Sequence, residues 1–332
     1  MIIKDMIPNF ELFQPASLAD ALALLDQHGK DAWKLAGGND SLTWFKERAK
    51  RPKVVIDLEG LKELKGIRET PDGVEIGALT TITEIERSPL IRSKYRVLAD
   101  AARRVASPQI RNTGTIGGNV SQDARCWYYR SGLPCYRAGG NTCFADTPEG
   151  VNREHALFDT DRCVTVNPSD TAPALVALDA KFVVKSSKGE RLLGAEEFFI
   201  GPKTDITHLT SVKPEEIVTA IRLPKEWAGA RFYFEKVADR DTWDFALVNV
   251  AAAIVVNNNV VERSRIACGA VSATPHRLNA VEETIKGKAP NAEIATLAGQ
   301  TATRGARPLN YNGFKIPLMA NLVMRAVRDA TA

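Results

Sequence analysis

Four of the chain's five cysteines fall in one segment, as Cys126-x8-Cys135-x7-Cys143-x19-Cys163. Four thiolates can close a zinc site or hold an iron–sulfur cluster. Structural zinc sites normally bring ligands in as tight pairs separated by about two to four residues. Gaps of eight, seven and nineteen suit a long loop wrapped around a larger object, which favours a [4Fe-4S] cluster over zinc. On spacing alone, zinc and unligated cysteines both stay open. His155 lies between the third and fourth cysteines and offers a ligand that a set of four thiolates does not need. Trp127, Tyr128, Tyr129, Tyr136 and Phe144 either shield a cluster from water or simply anchor a long loop. Cys268, in Arg265-Ile-Ala-Cys-Gly-Ala-Val271, reads as a buried small residue of a strand.

Immediately upstream, Gly114, Gly117 and Gly118 sit among Thr113, Thr115 and Asn119, the composition of backbone that must come close to a ligand. A second glycine turn, Gly37-Gly38-Asn39-Asp40-Ser41, follows the apolar run Trp33–Ala36 and precedes a helical stretch, Leu42–Ala49. Free backbone N–H groups at such a helix start suit a pyrophosphate, although an ordinary turn has the same composition. The turn is not G-x-G-x-x-G, and the pattern shows no βαβ alternation after it, so a Rossmann dinucleotide fold is not expected. The cysteine segment leaves Asn119-Val-Ser121 and returns to Asn167-Pro-Ser-Asp170. If both polar ends touch one cofactor, a metal centre is tethered beside it, as an electron relay requires. G-x-S-x-G, H-E-x-x-H and P-loop motifs are absent, and four scattered histidines argue against His-based hydrolysis.

The remaining pattern supplies the elements that position these residues. Ser17 reads as an N-cap with Asp20 three residues on, and Leu18, Ala21, Leu22, Leu24 and Leu25 recur at helical spacing up to Gly29. Val54–Leu58 and Val74–Leu79 are predicted strands, and Ser88-Pro89 opens one helix to about Val105, stopped by Ser107-Pro108. Pro173–Ala180 is a short helix, Phe182–Lys185 and Glu190–Leu193 a hairpin, and Glu216–Leu223 a strand. A boundary falls at Pro224–Arg231. Beyond it come strands Phe232–Ala238, Phe245–Val256 and Val260–Val271, then Leu278–Ala330, mostly helical with Pro308 and Pro317 as breaks.

Composition sets outer limits. With 332 residues, 44% hydrophobic and 25% charged, the chain suits a soluble protein of two or three domains. A net charge of +4 over 44 basic and 40 acidic residues is no nucleic-acid footprint. No apolar run reaches membrane-spanning length, so no membrane insertion is expected. Acidic residues and a proline within the first thirteen positions do not make a signal peptide. A cytoplasmic protein is expected, unless a partner carries it elsewhere. An odd cysteine count then argues against a disulfide framework.

At these residues the chain resembles the FAD-binding, medium subunit of the molybdenum hydroxylases, the xanthine dehydrogenase and carbon monoxide dehydrogenase family. Leu35-Ala-Gly-Gly-Asn-Asp-Ser-Leu42 is similar to the family's first FAD loop, Asn112-Thr-Gly-Thr-Ile-Gly-Gly-Asn119 to its second, and Pro168-Ser-Asp170 to its return. Asn39 and Ser41 stand where Thr and a larger residue are common. The stretch from Lys236 to Ala253 resembles the family's C-terminal domain. The resemblance implies an α+β fold: a two-part FAD-binding domain of the vanillyl-alcohol oxidase (PCMH) type plus a C-terminal α+β domain with a three-stranded antiparallel sheet and helices. The domains would be 1–226 (parts about 1–60 and 61–226) and 227–332, with a loop insertion at 122–165. It further implies FAD contacts at Leu35, Ala36, Gly37, Gly38, Asn39, Asp40, Ser41, Leu42, Ile110, Thr113, Gly114, Thr115, Gly117, Gly118, Asn119 and Ser121. Asp170, Ile217 and Lys236 would lie near flavin or adenine, Lys236 being equally readable as a surface lysine at a strand end.

Most members pass from the second glycine loop to the return within a few residues, whereas this chain inserts about forty. The insert is similar to that of the flavin subunits of 4-hydroxybenzoyl-CoA reductase and a bacterial aldehyde oxidoreductase, which implies a [4Fe-4S] cluster on Cys126, Cys135, Cys143 and Cys163. Gln122-Asp-Ala-Arg-Cys126 and Asp161-Arg-Cys163 resemble the reductase, the wide last gap the oxidoreductase. The implied role is electron transfer between an external carrier and partner subunits, a large one with molybdopterin and the substrate pocket and a small one with [2Fe-2S] clusters. No catalytic residue is then expected on this chain. A self-contained flavin oxidase would need a substrate-binding cap, and the residues after Arg231 are few for one. A non-redox interaction protein with a zinc loop is the other rival.

Overall fold

Three short strands near the N-terminus pair out of chain order: β1 (Glu11–Phe13), β2 (Ala32–Leu35) and β3 (Val54–Asp57) form a parallel sheet in the order β1-β3-β2. The computed structural model describes residues 7–329. The N-terminal residues used in the signal-peptide reading (1–6) and the last residue of the predicted helical stretch, Ala330, lie outside that range. The helix Leu18–His28 crosses from β1 to β2; Ser17 and Asp20 close its capping box, and Ala21, Leu22 and Leu25 bury its apolar face. The short helix Ser41–Lys46 crosses from β2 to β3. The first glycine turn therefore lies inside a parallel βαβ unit, an alternation that the sequence reading did not expect there. Its helix has only six residues, too few for an apolar period to register.

The second sheet has five antiparallel strands in the order β4-β5-β8-β6-β7: β4 (Ile67–Thr70), β5 (Gly73–Gly77), β6 (Lys181–Ser186), β7 (Gly189–Gly194) and β8 (Ile217–Pro224). Helices between residues 82 and 113 cover it. The single helix expected from Ser88 to Val105 is two, Pro89–Lys94 and Arg96–Arg103, because Tyr95 leaves helical geometry at φ −140°, ψ 49°. Its ring is buried and its hydroxyl donates to Pro224 O at 3.2 Å, a tertiary contact that outweighs helical continuity. Ser107-Pro108 also starts a new helix: Ser107 caps Pro108–Thr113, with proline at the position where a missing N–H costs nothing.

The C-terminal sheet is antiparallel, β12-β11-β10-β9, built from β9 (Arg231–Val237), β10 (Val248–Asn257), β11 (Val260–Gly269) and β12 (His276–Arg277). The fourth strand, beyond the three expected, has only two residues, too short for a period-2 signal. Pro317 does not break the last helix, Lys315–Asp329, but sits in its first turn. β10 reads as near-continuous apolar sequence because both its faces are covered. Val250, Ala252 and Ile254 join a core with the C-terminal helices, while Ala251 and Ala253 join the core beneath the second sheet. This sharing locks the C-terminal part against the rest.

Phe182 and Phe198 stack in that second core, with ring centroids 3.9 Å apart and no exposure, whereas Leu192 of the same hairpin is 51% exposed. Phe182→Ala is expected to cost about 3–5 kcal/mol in denaturant unfolding. Leu192→Ala should stay within about 0.5 kcal/mol of the parent.

Candidate functional site

The two glycine turns meet. A Cβ on Gly37 would stand 2.1 Å from Thr113 O, so only glycine lets the first turn lie against the second. Asn39 Nδ2 seals the junction by donating to Thr113 Oγ1 at 3.0 Å and Ile110 O at 3.4 Å. Leu35 ends β2; Ala36 and Gly37 are half-buried, and Gly38 turns the chain at φ +74°. Ser41 accepts from Trp33 Nε1 at 2.9 Å, and Leu42 is exposed. In the second turn Thr115 caps the single helical turn Ile116–Val120, its Oγ1 accepting from Gly118 N at 3.1 Å. Gly117 N donates to Ala78 O at 2.8 Å. Asn119 points inward, its Oδ1 accepting from Ser169 Oγ at 2.6 Å and Thr171 Oγ1 at 2.7 Å. The second turn is thereby tied to the return stretch. Gly118 and Ser121 are exposed.

Asp170 and Lys236 form one buried pair, Nζ to Oδ2 2.7 Å, and Asn249 Nδ2 donates to the other carboxylate oxygen at 3.1 Å. Burial pushes the Asp170 carboxyl up, and the Lys236 ammonium opposes it. Lys236 also donates to Arg104 O at 3.0 Å and Asp244 O at 2.7 Å, so it is a buried staple and not a surface lysine. Ile217 has its side chain in the core beneath the first sheet, which leaves only its backbone for a ligand. Asn249 was not anticipated; the available signal was one polar residue inside the apolar run Val248–Ile254.

The cysteine segment is clamped from both sides. On one side, Asp40 of the first turn pairs with Arg125 at 3.1 Å and with buried Arg130, which also lies over the Trp44 ring at 3.8 Å. Asp123 pairs with Lys50 at 3.5 Å and with Arg137, and Lys50 donates to Tyr129 Oη at 2.6 Å. On the other side, Asn312 Nδ2 donates to His155 O and Ala156 O, both at 3.1 Å. Lys315 donates to His155 O at 3.1 Å and Ala270 O at 2.8 Å.

Cys126, Cys135, Cys143 and Cys163 all line one cavity of about 320 Å³ to its mouth, walled by Tyr128, Tyr129, Tyr136 and Phe144. Trp127 is 70% exposed and does not shield it. Among the described residues no three His, Cys, Asp or Glu side chains close on a single ion. Burial holds the Cys163 thiol up at about 11 and raises that of Cys126. His155 Nε2 lies 3.3 Å from Cys126 Sγ; burial and then the Lys315 cation bring His155 down to about 4. Cys268 is fully buried in β11, apart from this set.

A second cavity, about 540 Å³ to its mouth, shares Cys126, His155 and Thr165 with the first and runs to Asn167, Ser169, Asp170, Phe245 and Asn249. Four of its lining residues carry buried polar atoms with no partner among the described residues: Arg125 Nε, His155 Nδ1, Asn167 Nδ2 and Asn249 Oδ1. Buried polar atoms are rarely left unpaired. Donors and an acceptor side by side fit the alternating carbonyl, imine and N–H edge of a flavin ring.

Residues 8–226 match the family model described as the FAD binding domain in molybdopterin dehydrogenase, and residues 233–330 match the CO dehydrogenase flavoprotein C-terminal domain. The chain belongs to the FAD-binding medium subunits of the molybdenum hydroxylase family. This FAD subunit is 30% identical over 98% of its length to the carbon monoxide dehydrogenase medium chain of Hydrogenophaga pseudoflava, covering 98% of that protein. It is 32% identical over 93% of its length to the aldehyde oxidoreductase FAD-binding subunit PaoB of Escherichia coli, covering 95% of it. In structure it is similar to a carbon monoxide dehydrogenase chain from Hydrogenophaga pseudoflava, with TM-score 0.78, 29% identity and 98% of both chains covered. The mixed helix-and-sheet architecture is thus that of the family, and the FAD subunit binds FAD. No helix among its described residues is long and apolar enough to cross a membrane.

The buried pair gives the FAD subunit a stability test. Lys236→Met strands a buried carboxylate and is expected to cost about 3–5 kcal/mol in urea unfolding. Asp170→Asn in the same chain should recover much of that loss. Lys315 gives a pH test, since burial lowers it to about 7, with Glu154 opposing. Between that value and its unfolded pKa of about 10.4 the unfolded chain holds one proton more, so stability rises with pH across the window. Lys315→Met should remove that rise, seen by comparing unfolding midpoints of parent and variant from pH 7 to 10.

Proposed function

We propose that this chain relays electrons through FAD and a [4Fe-4S] cluster between an external carrier and partner subunits, a large molybdopterin subunit and a small [2Fe-2S] subunit. The observation that carries the cluster is that four cysteines scattered over the insert line one cavity, which shares a wall with the cavity of unpaired polar atoms. When bound, the flavin handles electrons in pairs or singly and the cluster handles them singly, and the protein supplies position and electrostatics. The partner assignment is supported by the names of the relatives, medium chains and FAD subunits of heteromeric dehydrogenases. The cytoplasmic reading of the sequence is kept.

In this reading the backbone of Leu35–Leu42, Ile110 and Thr113–Asn119 cradles the pyrophosphate, with Ser121 at the exit of the second turn. Side chains do less there: Asn39 fastens turn to turn, and Asp40 is committed to Arg125 and Arg130. Arg125, Asn167 and His155 offer their unpaired atoms to the ring end of the flavin. Asp170 and Lys236 fix that wall by pairing across it, and Ile217 packs the floor of the first unit. Cys126, Cys135, Cys143 and Cys163 hold the cluster, and Tyr129 and Phe144 exclude water from it. The chain divides into 1–226 and 227–332, with 122–165 as the cluster-binding insert. All chemistry on the substrate is left to the large subunit.

Anaerobically purified protein is expected to contain about four irons with sulfide per chain and one FAD. One zinc and no iron would sink the cluster. Cys135→Ser should lose iron and keep the yellow chromophore, whereas Gly37→Ala should lose FAD and keep iron. Joint loss of both in each variant would mean that the two sites are not separately built.

A further inference from the structure

His155 lines both cavities, as do Cys126 and Thr165. Nε2 is 3.3 Å from the Cys126 sulfur, within hydrogen-bond reach, and Nδ1 is buried with no partner among the described residues. The residue is only 5% exposed, so it has no freedom to turn its ring to water. Its carbonyl oxygen is held by Asn312, just ahead of the last helix, and by Lys315, that helix's first residue, both of which donate to it.

From this geometry, and resting on the [4Fe-4S] reading above, we propose that His155 is a positioning residue whose Nε2–H bonds the cluster-ligating sulfur of Cys126 and thereby raises the reduction potential of the cluster. A ligating thiolate can only accept, so cluster binding selects the tautomer with its proton on Nε2. That leaves the Nδ1 lone pair free for a donor of the group in the neighbouring cavity. Hydrogen bonds to ligand sulfurs are among the levers that set cluster potentials, because an N–H aimed at sulfur favours the more negatively charged, reduced state. The four thiolates already complete the ligand set, so His155 is assigned no bond to iron.

The test uses the full chain, purified anaerobically as the parent and as His155→Gln and His155→Leu. Iron, sulfide and FAD are counted, and the cluster potential is read by a redox titration followed by electron paramagnetic resonance. The expected result is full iron and FAD in all three, a potential displaced to more negative values in His155→Leu, and partial return in His155→Gln, whose amide keeps an N–H near the sulfur. The inference is overturned if His155→Leu keeps its iron at the parent potential. It is overturned equally if Gln shifts the potential as far as Leu does, or if both variants lose iron, since His155 would then be packing and not tuning. A parent chain without iron would instead remove the cluster reading itself.

Discussion

A charge taken out of water must be answered, and the Asp170–Lys236 pair is where this fold answers it. Asp170 ends the return stretch of the insert, Lys236 lies on β9, and Asn249 on β10 takes the remaining carboxylate oxygen. The ammonium also holds Arg104 O and Asp244 O. One pair therefore fixes the return stretch, the end of the helix Arg96–Arg103 and the C-terminal sheet in a common frame. Ser169 and Thr171, on either side of Asp170, carry that frame on to Asn119 and the second glycine turn.

The insert poses a different problem. A segment of about forty residues with few aliphatic side chains cannot build a core of its own, and loops of that length are unusual in compact domains. Here it borrows one: Ala124, Tyr129 and Cys135 pack with Trp44 and Phe45 of the first unit. Ion pairs and carbonyl hydrogen bonds then hold it laterally, through Asp40 and Asp123 at one flank and Asn312 and Lys315 at the other. Buried polar anchors of this kind set position more than they add stability. Position is what the proposed pairing of flavin and cluster would require.

The same clamp changes the meaning of Asp40. By its place in the first glycine turn it was expected among the FAD contacts, yet its carboxylate faces two arginines of the insert. A carboxylate turned toward a pyrophosphate would repel it, whereas one neutralised by guanidinium groups leaves the backbone N–H groups of the turn free. The first turn and the insert are thus electrically coupled, although 90 residues separate Asp40 from Arg130.

Local chemistry determined a good deal by itself. The capping box at Ser17, the hairpin around Gly189 and the long apolar strands were legible because each is written within a few neighbouring residues. The two glycine turns and the four cysteines were legible by type and spacing. What sequence could not carry was anything set by partners far along the chain: the break at Tyr95, the βαβ unit with its six-residue helix, the two-residue β12, and the burial of Lys236. The meeting of Gly37 with Thr113, and of Asn312 and Lys315 with His155, likewise depends on how three sheets pack. Hydrogen bonding and propensity act over a turn or a strand pair and leave their mark in adjacent letters, while burial and charge pairing are decided only when distant surfaces close on one another.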